Sequence, residues 1–120
     1  MEIGAQTRLT IPNKPRSLIL VPSRELAMQV HYDALKPFQY EIPLKFFSLY
    51  SGQSHRIETD KLNEGIDVLV STYERFKYRR EGEKVFLSNV SSLVIDELDT
   101  FLDSGNEEEL RRLIEQYLGT

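Results

Sequence analysis

Three carboxylates fall within four residues at Asp96-Glu97-Leu98-Asp99, directly after the apolar run Ser92-Leu93-Val94-Ile95. Like charges this close repel, and something must offset them. A divalent cation does so, and Mg²⁺ takes one or two carboxylates together with waters and phosphate oxygens. In that reading one carboxylate holds a hydrated metal and the next orients an attacking water at a nucleotide. The plainer reading is an acidic cap on a helix start, where the positive end of the helix dipole offsets the charge. The sequence leaves both open.

Two other segments place a cation beside a helix start. In Pro22-Ser23-Arg24-Glu25-Leu26-Ala27, Arg24 falls in a first helical turn, where a cation is disfavoured by the dipole. An arginine kept there either holds an anion, alongside exposed backbone N–H groups, or pairs with a neighbouring carboxylate. The alternative is a surface arginine with its stem laid along the protein. In Ser71-Thr72-Tyr73-Glu74-Arg75 a second helix opens after a second apolar run. Residues 75–84 carry Arg75, Lys77, Arg79, Arg80 and Lys84 against Glu81 and Glu83, a local positive excess in a chain of formal charge −4. That patch reads either as phosphate-facing or as a solvated helix face, the latter above all for residues 79–84. Gly52 allows a close backbone approach or a plain turn. His31 and His55 are assigned no role.

Composition narrows the classes. At 120 residues the chain is one domain or part of one. Nineteen acidic residues against fifteen basic ones argue against a protein that coats duplexes with positive charge. With no cysteine there is no disulfide framework, thiolate metal site or cysteine nucleophile, and two histidines are too few for a histidine zinc site. No apolar run approaches the roughly 20 residues of a membrane span. Residues 1–10 lack the apolar core of a secretory signal, so the expected location is intracellular.

The elements that must position these residues follow from patterning. Four short apolar runs, at residues 17–21, 44–50, 66–70 and 92–95, read as strands, the first of the kind buried on both faces. Each is followed by a stretch with helical signals. Pro22 ends the first run and Ser23 caps a helix reaching about Lys36, with Pro37 beyond it. A weaker, polar helix is expected over residues 54–63. Another starts at Ser71 and Thr72. The last has Asn106 as its cap, Glu109 completing a capping box, and Leu110, Leu113, Ile114 and Tyr117 as its buried stripe. Gly119 suits the position after its end. Strands alternating with helices predict an α/β fold with a mostly parallel sheet, and ligands of such sheets sit at the carboxyl ends of the strands. All the segments singled out above follow strands.

In order and spacing these segments resemble the first RecA-like domain of the DEAD-box RNA helicases, over about residues 16–118. Pro22-Ser23-Arg24-Glu25-Leu26-Ala27 is similar to motif Ia, PTRELA. Tyr50-Ser51-Gly52 resembles the glycine pair, with Ser51 in place of the first glycine. Val70-Ser71-Thr72-Tyr73-Glu74-Arg75 resembles the Ib segment VATPGR. Val94-Ile95-Asp96-Glu97-Leu98-Asp99 resembles motif II, and Thr100-Phe101-Leu102-Asp103-Ser104-Gly105 continues it as RMLDMG does. The resemblance implies a three-layer RecA-like fold of about four strands, with residues 1–15 irregular and residues 16–120 a partial helicase domain. It implies ATP and Mg²⁺ as cofactors and single-stranded or duplex RNA as partner. Asp96 would hold Mg²⁺ through water, Glu97 would serve the metal site and position the hydrolytic water, and Asp99 would link to other motifs. Pro22, Ser23, Arg24, Glu25, Gly52, Thr72 and Arg75 would line an RNA-backbone groove.

The chain also departs from the family pattern. No G-x-x-x-x-G-K-[ST] occurs, so there is no P-loop and no P-loop lysine. Gly4-Ala5-Gln6-Thr7 resembles only a lead-in to one. The P-loop strand, motif III and the second RecA-like domain with its arginine finger are not in this sequence. Leu98 replaces a small residue and asks for extra room behind its strand. Glu74 replaces a glycine, and Tyr73 replaces a proline, either to stack on RNA or to pack. The expectation is that this chain alone does not hydrolyse ATP, and that a strand without its neighbour promotes self-association. The alternative is a non-catalytic RNA- or protein-binding module derived from a helicase domain.

Overall fold

The structure is a computed structural model that describes residues 10–35, 44–103, 105 and 107–118. Four strands form: β1 (Ser17–Val21), β2 (Phe46–Leu49), β3 (Val68–Thr72) and β4 (Ser92–Ile95). They pair in the order β2-β3-β1-β4, and every pair is parallel. The helices are α1 (Arg24–Val30), α2 (His55–Glu64), α3 (Tyr73–Glu81), α4 (Leu98–Asp103) and α5 (Glu107–Tyr117). The α/β alternation read from the sequence is the architecture observed.

Hydroxyl caps start three of the helices. Ser23 Oγ accepts from Leu26 N at 3.1 Å, Ser54 Oγ from Ile57 N at 3.3 Å, and Thr72 Oγ1 from Arg75 N at 3.2 Å. Each satisfies one backbone donor that the first turn leaves orphaned. The regular part of α1 ends at Val30 and continues as a π-helical turn, His31–Leu35. The expected stop at Lys36 and Pro37, the lead-in at Gly4 to Thr7, and the terminal caps Asn106 and Gly119 lie outside the described residues.

Strand alternation sorts the core onto the two sheet faces. Leu18, Leu20, Phe47, Leu49 and Leu69 join Leu62, Tyr73, Phe76, Phe101, Leu110 and Leu113, which come from α2, α3, α4 and α5. Ile19, Val21 and Val70 join Leu26, Ala27, Met28 and Val30 of α1. The sheet is thus sandwiched between two helical layers.

Three details differ from expectation. The third strand runs two residues later than the apolar run suggests, because Ser71 and Thr72 continue the ladder opposite Leu20 and Val21. β4 is an edge strand whose Val94 is 48% exposed, although its sequence is as apolar as that of a central strand. On α5, Leu110 and Leu113 are buried, but Ile114 is 37% exposed and Tyr117 only half-buried, so the packed stripe is narrower than expected.

Candidate functional site

Because all four strands run the same way, their carboxyl ends lie along one side of the sheet. The register aligns them: Val21 is opposite Thr72, Leu49 opposite Ser71, and Leu20 opposite Ile95. Each segment selected from the sequence follows one of these ends. Ser51-Gly52 follows β2, Thr72 closes β3, and Pro22-Ser23-Arg24-Glu25 follows β1; these three strands are contiguous. Asp96-Glu97 follows β4, on the far side of β1.

The segments after β1 and β2 are locked together. Arg24 Nε donates to the backbone oxygen of Ser51 at 2.7 Å. Gly52 has φ +89°, and a Cβ there would lie 3.2 Å from Arg24 Nη2. The left-handed backbone favours glycine, and a Cβ would also press on the Arg24 guanidinium. The arginine in the first turn of α1 is not a loose surface side chain: it ties the end of β1 to the turn after β2.

Thr72 is buried and caps α3. Arg75 leads to the feature that sequence reasoning missed. Its guanidinium meets Glu58 of α2, with Nε 3.0 Å from Oε1 and Nη2 2.7 Å from the same oxygen. Arg79, one turn further along α3, reaches the same carboxylate from Nε at 2.9 Å and also from Nη2. Glu58 is 0% exposed and Arg79 1%. The Gln53 amide faces two acceptors, Glu58 Oε2 at 2.8 Å and Ser48 O at 3.0 Å, which assigns its nitrogen to that side as donor to both. The reading of residues 79–84 as a solvated face is therefore corrected for Arg79, which is a core residue neutralised by a buried carboxylate. His55, assigned no role, sits beside it: its backbone oxygen accepts from Arg79 Nη2 at 3.2 Å. The available signal was an i, i+4 pair of arginines on one face of α3, but the partner lay on a helix that read as polar throughout.

Tyr73 is packed rather than free to stack on a ligand. Its ring meets Phe101 edge-on at 5.2 Å. Burial first, then the Glu109 carboxylate, push its hydroxyl above its usual range. Glu74 is exposed on the first turn of α3. A cavity of about 290 Å³ opens between α3 and α5, lined by Tyr73, Phe76, Lys77, Arg80, Glu109 and Leu113 among others, away from the motif II carboxylates.

At the end of β4, Asp96 N donates to Leu20 O at 2.8 Å, carrying the pairing with β1 one step past the strand. Glu97 has φ +52°, the left-handed region, and Asp99 lies in the first turn of α4. All three side chains are exposed. Leu98 is exposed too, so the expected extra room behind the strand is not needed. Among the described residues no group of three His, Cys, Asp or Glu is placed to hold a metal ion. This donor set fits Mg²⁺ bound through waters and phosphate, which asks for only one or two carboxylates, and does not fit a cation enclosed by protein ligands.

The site's segments also match known proteins. A family model described as DEAD/DEAH box helicase matches residues 2–118. The chain is 38% identical over 103 residues to DEAD-box ATP-dependent RNA helicase 52A of Oryza sativa subsp. japonica, covering 86% of this chain and 17% of that protein. It is 36% identical over 104 residues to the ATP-dependent RNA helicase RhlB of Xanthomonas axonopodis pv. citri, covering 86% and 18%. In three dimensions it matches the crystal structure of the yeast DEAD-box splicing factor Prp28 with a TM-score of 0.72 and 30% identity, over 86% of this chain and 24% of that one. The parallel sheet with flanking helices is thus that of a RecA-like DEAD-box domain. The chain spans less than a fifth of the length of these curated relatives.

Stranding a buried charge outright costs about 3–5 kcal/mol, but Arg79→Met leaves Glu58 paired with Arg75 and removes charge-assisted hydrogen bonds instead. Arg79→Met is expected to lower stability by about 1.5–3 kcal/mol in urea unfolding. A loss below about 1 kcal/mol, the level of surface pairs, would show that Arg79 is not buried against Glu58.

Proposed function

The chain belongs to the DEAD/DEAH box helicase family, and from that premise we propose that it supplies the RNA-backbone groove and the motif II carboxylates of an ATP-dependent RNA helicase. Residues 16–120 are read as part of the first RecA-like domain. The observation that carries the proposal is the shared side of the parallel sheet, where Arg24, Gly52, Thr72 and Asp96-Glu97 follow four aligned strand ends.

In this reading the ends of β2, β3 and β1 face RNA. Pro22, Ser23, Arg24 and Glu25 flank the groove, Gly52 lets the backbone approach closely, and Thr72 and Arg75 stand at the start of α3. Arginine and helix-start N–H groups recognise phosphate rather than base edges, which gives binding with little sequence preference. The end of β4 serves the nucleotide. Asp96 and Glu97 are the oxygen ligands this chain offers to a hydrated Mg²⁺, which with ATP supplies the transferable phosphoryl group. Glu97 also orients water, and Asp99 connects this end to the rest of the helicase. With no G-x-x-x-x-G-K-[ST] in its sequence, the isolated chain lacks the cradle that positions phosphates for transfer. The outer edge of β4, with Val94 exposed, supports self-association of the isolated chain. Sedimentation equilibrium reads it, and a monomer at every concentration would overturn it.

Fluorescence anisotropy with short single-stranded oligo-U and oligo-A tests the groove. Comparable binding to both is expected. Arg24→Ala should weaken it and reduce the slope of log affinity against log salt by about 0.7, one phosphate's worth. Arg56→Ala, on an exposed arginine of α2, should leave both unchanged. Equal effects of the two variants, or no binding by a folded sample, would overturn the groove. For catalysis, the 120-residue chain should show no RNA-stimulated ATP hydrolysis. Turnover that Glu97→Gln abolishes would contradict that.

A further inference from the structure

Two arginines share one buried carboxylate, and their surroundings are not equivalent. Arg79 is 1% exposed and binds four groups: Glu58 Oε1, the backbone oxygen of His55, Thr59 Oγ1 at 3.4 Å, and the imidazole of His55, whose Nε2 is 3.5 Å from Nη1. Arg75 is 18% exposed, and among the described residues its side chain hydrogen-bonds to Glu58 alone, from Nε and Nη2. Both guanidinium groups also lie over the half-exposed Tyr78 ring, Arg75 with its carbon 4.8 Å from the ring centre and Arg79 farther off at 5.6 Å. Arg75 also lies in the first turn of α3, beside the Thr72 cap and the ends of the strands, whereas Arg79 lies a turn deeper.

From this asymmetry we infer that Arg79 is the fixed counter-ion of Glu58 and Arg75 an exchangeable one, released to a phosphate without leaving a bare charge in the core. The electrostatics require two cations for this. A carboxylate removed from water must keep a partner, because an unpaired buried charge costs several kcal/mol. With Arg75 alone, withdrawing the guanidinium would strand Glu58. With Arg79 held by four groups and Gln53 donating to Oε2, Glu58 stays neutralised and hydrogen-bonded when Arg75 turns outward. A phosphate offers Arg75 the same paired-oxygen geometry that Glu58 does. Arg79 is then a positioning residue: it touches no ligand and sets how readily Arg75 is given up. That the phosphate belongs to RNA rests on the groove reading above; the inequality of the two arginines does not.

The test is NMR of the whole chain with ¹⁵N-labelled arginine, following the Nε–Hε signals of Arg75 and Arg79 during titration with inorganic phosphate and then with short single-stranded oligo-U. The expected result is that the Arg75 signal shifts saturably in both titrations while the Arg79 signal stays in place. Both signals moving together, or neither moving with phosphate, would overturn the inference. Arg75 moving with phosphate but not with RNA would keep the inequality and remove the groove reading instead. Glu58→Gln supplies a second readout. If Glu58 holds Arg75 back, releasing it should raise affinity for oligo-U and steepen the salt slope by about 0.7. A purely structural role predicts lower affinity at unchanged slope, and that result would also overturn the inference. Arg79→Lys, which keeps the charge, should shift the Arg75 response to phosphate less than Arg79→Met does.

Discussion

The strand β1 has no free edge and no free face, and the rest of the molecule is organised around it. Its backbone pairs with β3 on one side and β4 on the other. Leu18 and Leu20 are fully buried toward one helical layer, and Val21 toward the other. Burying one such side chain contributes about 1.5–3 kcal/mol relative to leaving it exposed. At the opposite end of the sheet, Asp67 fixes the register: its backbone oxygen accepts from Ser17 N at 2.9 Å, and its Oδ2 from Lys45 N at 2.9 Å. Once the starts of β1, β2 and β3 are pinned at one end, their lengths of five, four and five residues and their common direction bring the carboxyl ends level to within one residue at the other. The candidate site is a consequence of that alignment.

The two helices after β2 and β3 share the apolar core through Leu62, Tyr73 and Phe76 and also meet over a buried charge. Taking Glu58 fully out of water is unfavourable by several kcal/mol, and a single guanidinium rarely offsets it. Here two guanidinium groups and an amide do so. One carboxylate facing two arginines leaves an excess of positive charge, and the more exposed of the two carries it. A buried network thus places a cation at the rim of the sheet while holding α2 and α3 at one spacing.

The two halves of the site differ in how firmly they are built. Around β2, β3 and β1, the Arg24 bond to Ser51, the left-handed Gly52 and the Glu58 cluster leave few loose polar groups. Beyond β1, the segment from Asp96 to Asp99 is exposed on an edge strand, and Glu97 holds a backbone conformation that costs a non-glycine residue on the order of 1–2 kcal/mol. Strained residues persist where their surroundings over-determine them, and they concentrate at functional sites. The half around β2, β3 and β1, proposed to face phosphate, is therefore preorganised by this chain's own packing, while the half after β4, proposed for the nucleotide, presents its carboxylates on an open edge.

Much of this was legible from the residues alone. Apolar runs of strand length, hydroxyl caps at Ser23 and Thr72, and the acidic segment after β4 identified the βα repeats and the segments that follow the strands, because these signals are local. The third strand is shifted two residues later because Ser71 and Thr72 pair with β1, a cross-strand effect that hydropathy does not carry. The exposure of β4 and Ile114 depends on which elements lie beside them, and periodicity does not report that. Arg79 read as part of a solvated face, and Glu58 was not singled out in its polar helix, because burial of an ion depends on a partner 21 residues away. The sequence by itself determined the element types, their order and which residue types stand after each strand, since chain stereochemistry and solvation act over a few residues. Only the tertiary structure decided which charges are buried, which arginine is held and which is at the rim, since Coulomb and desolvation energies depend on distances that folding alone creates.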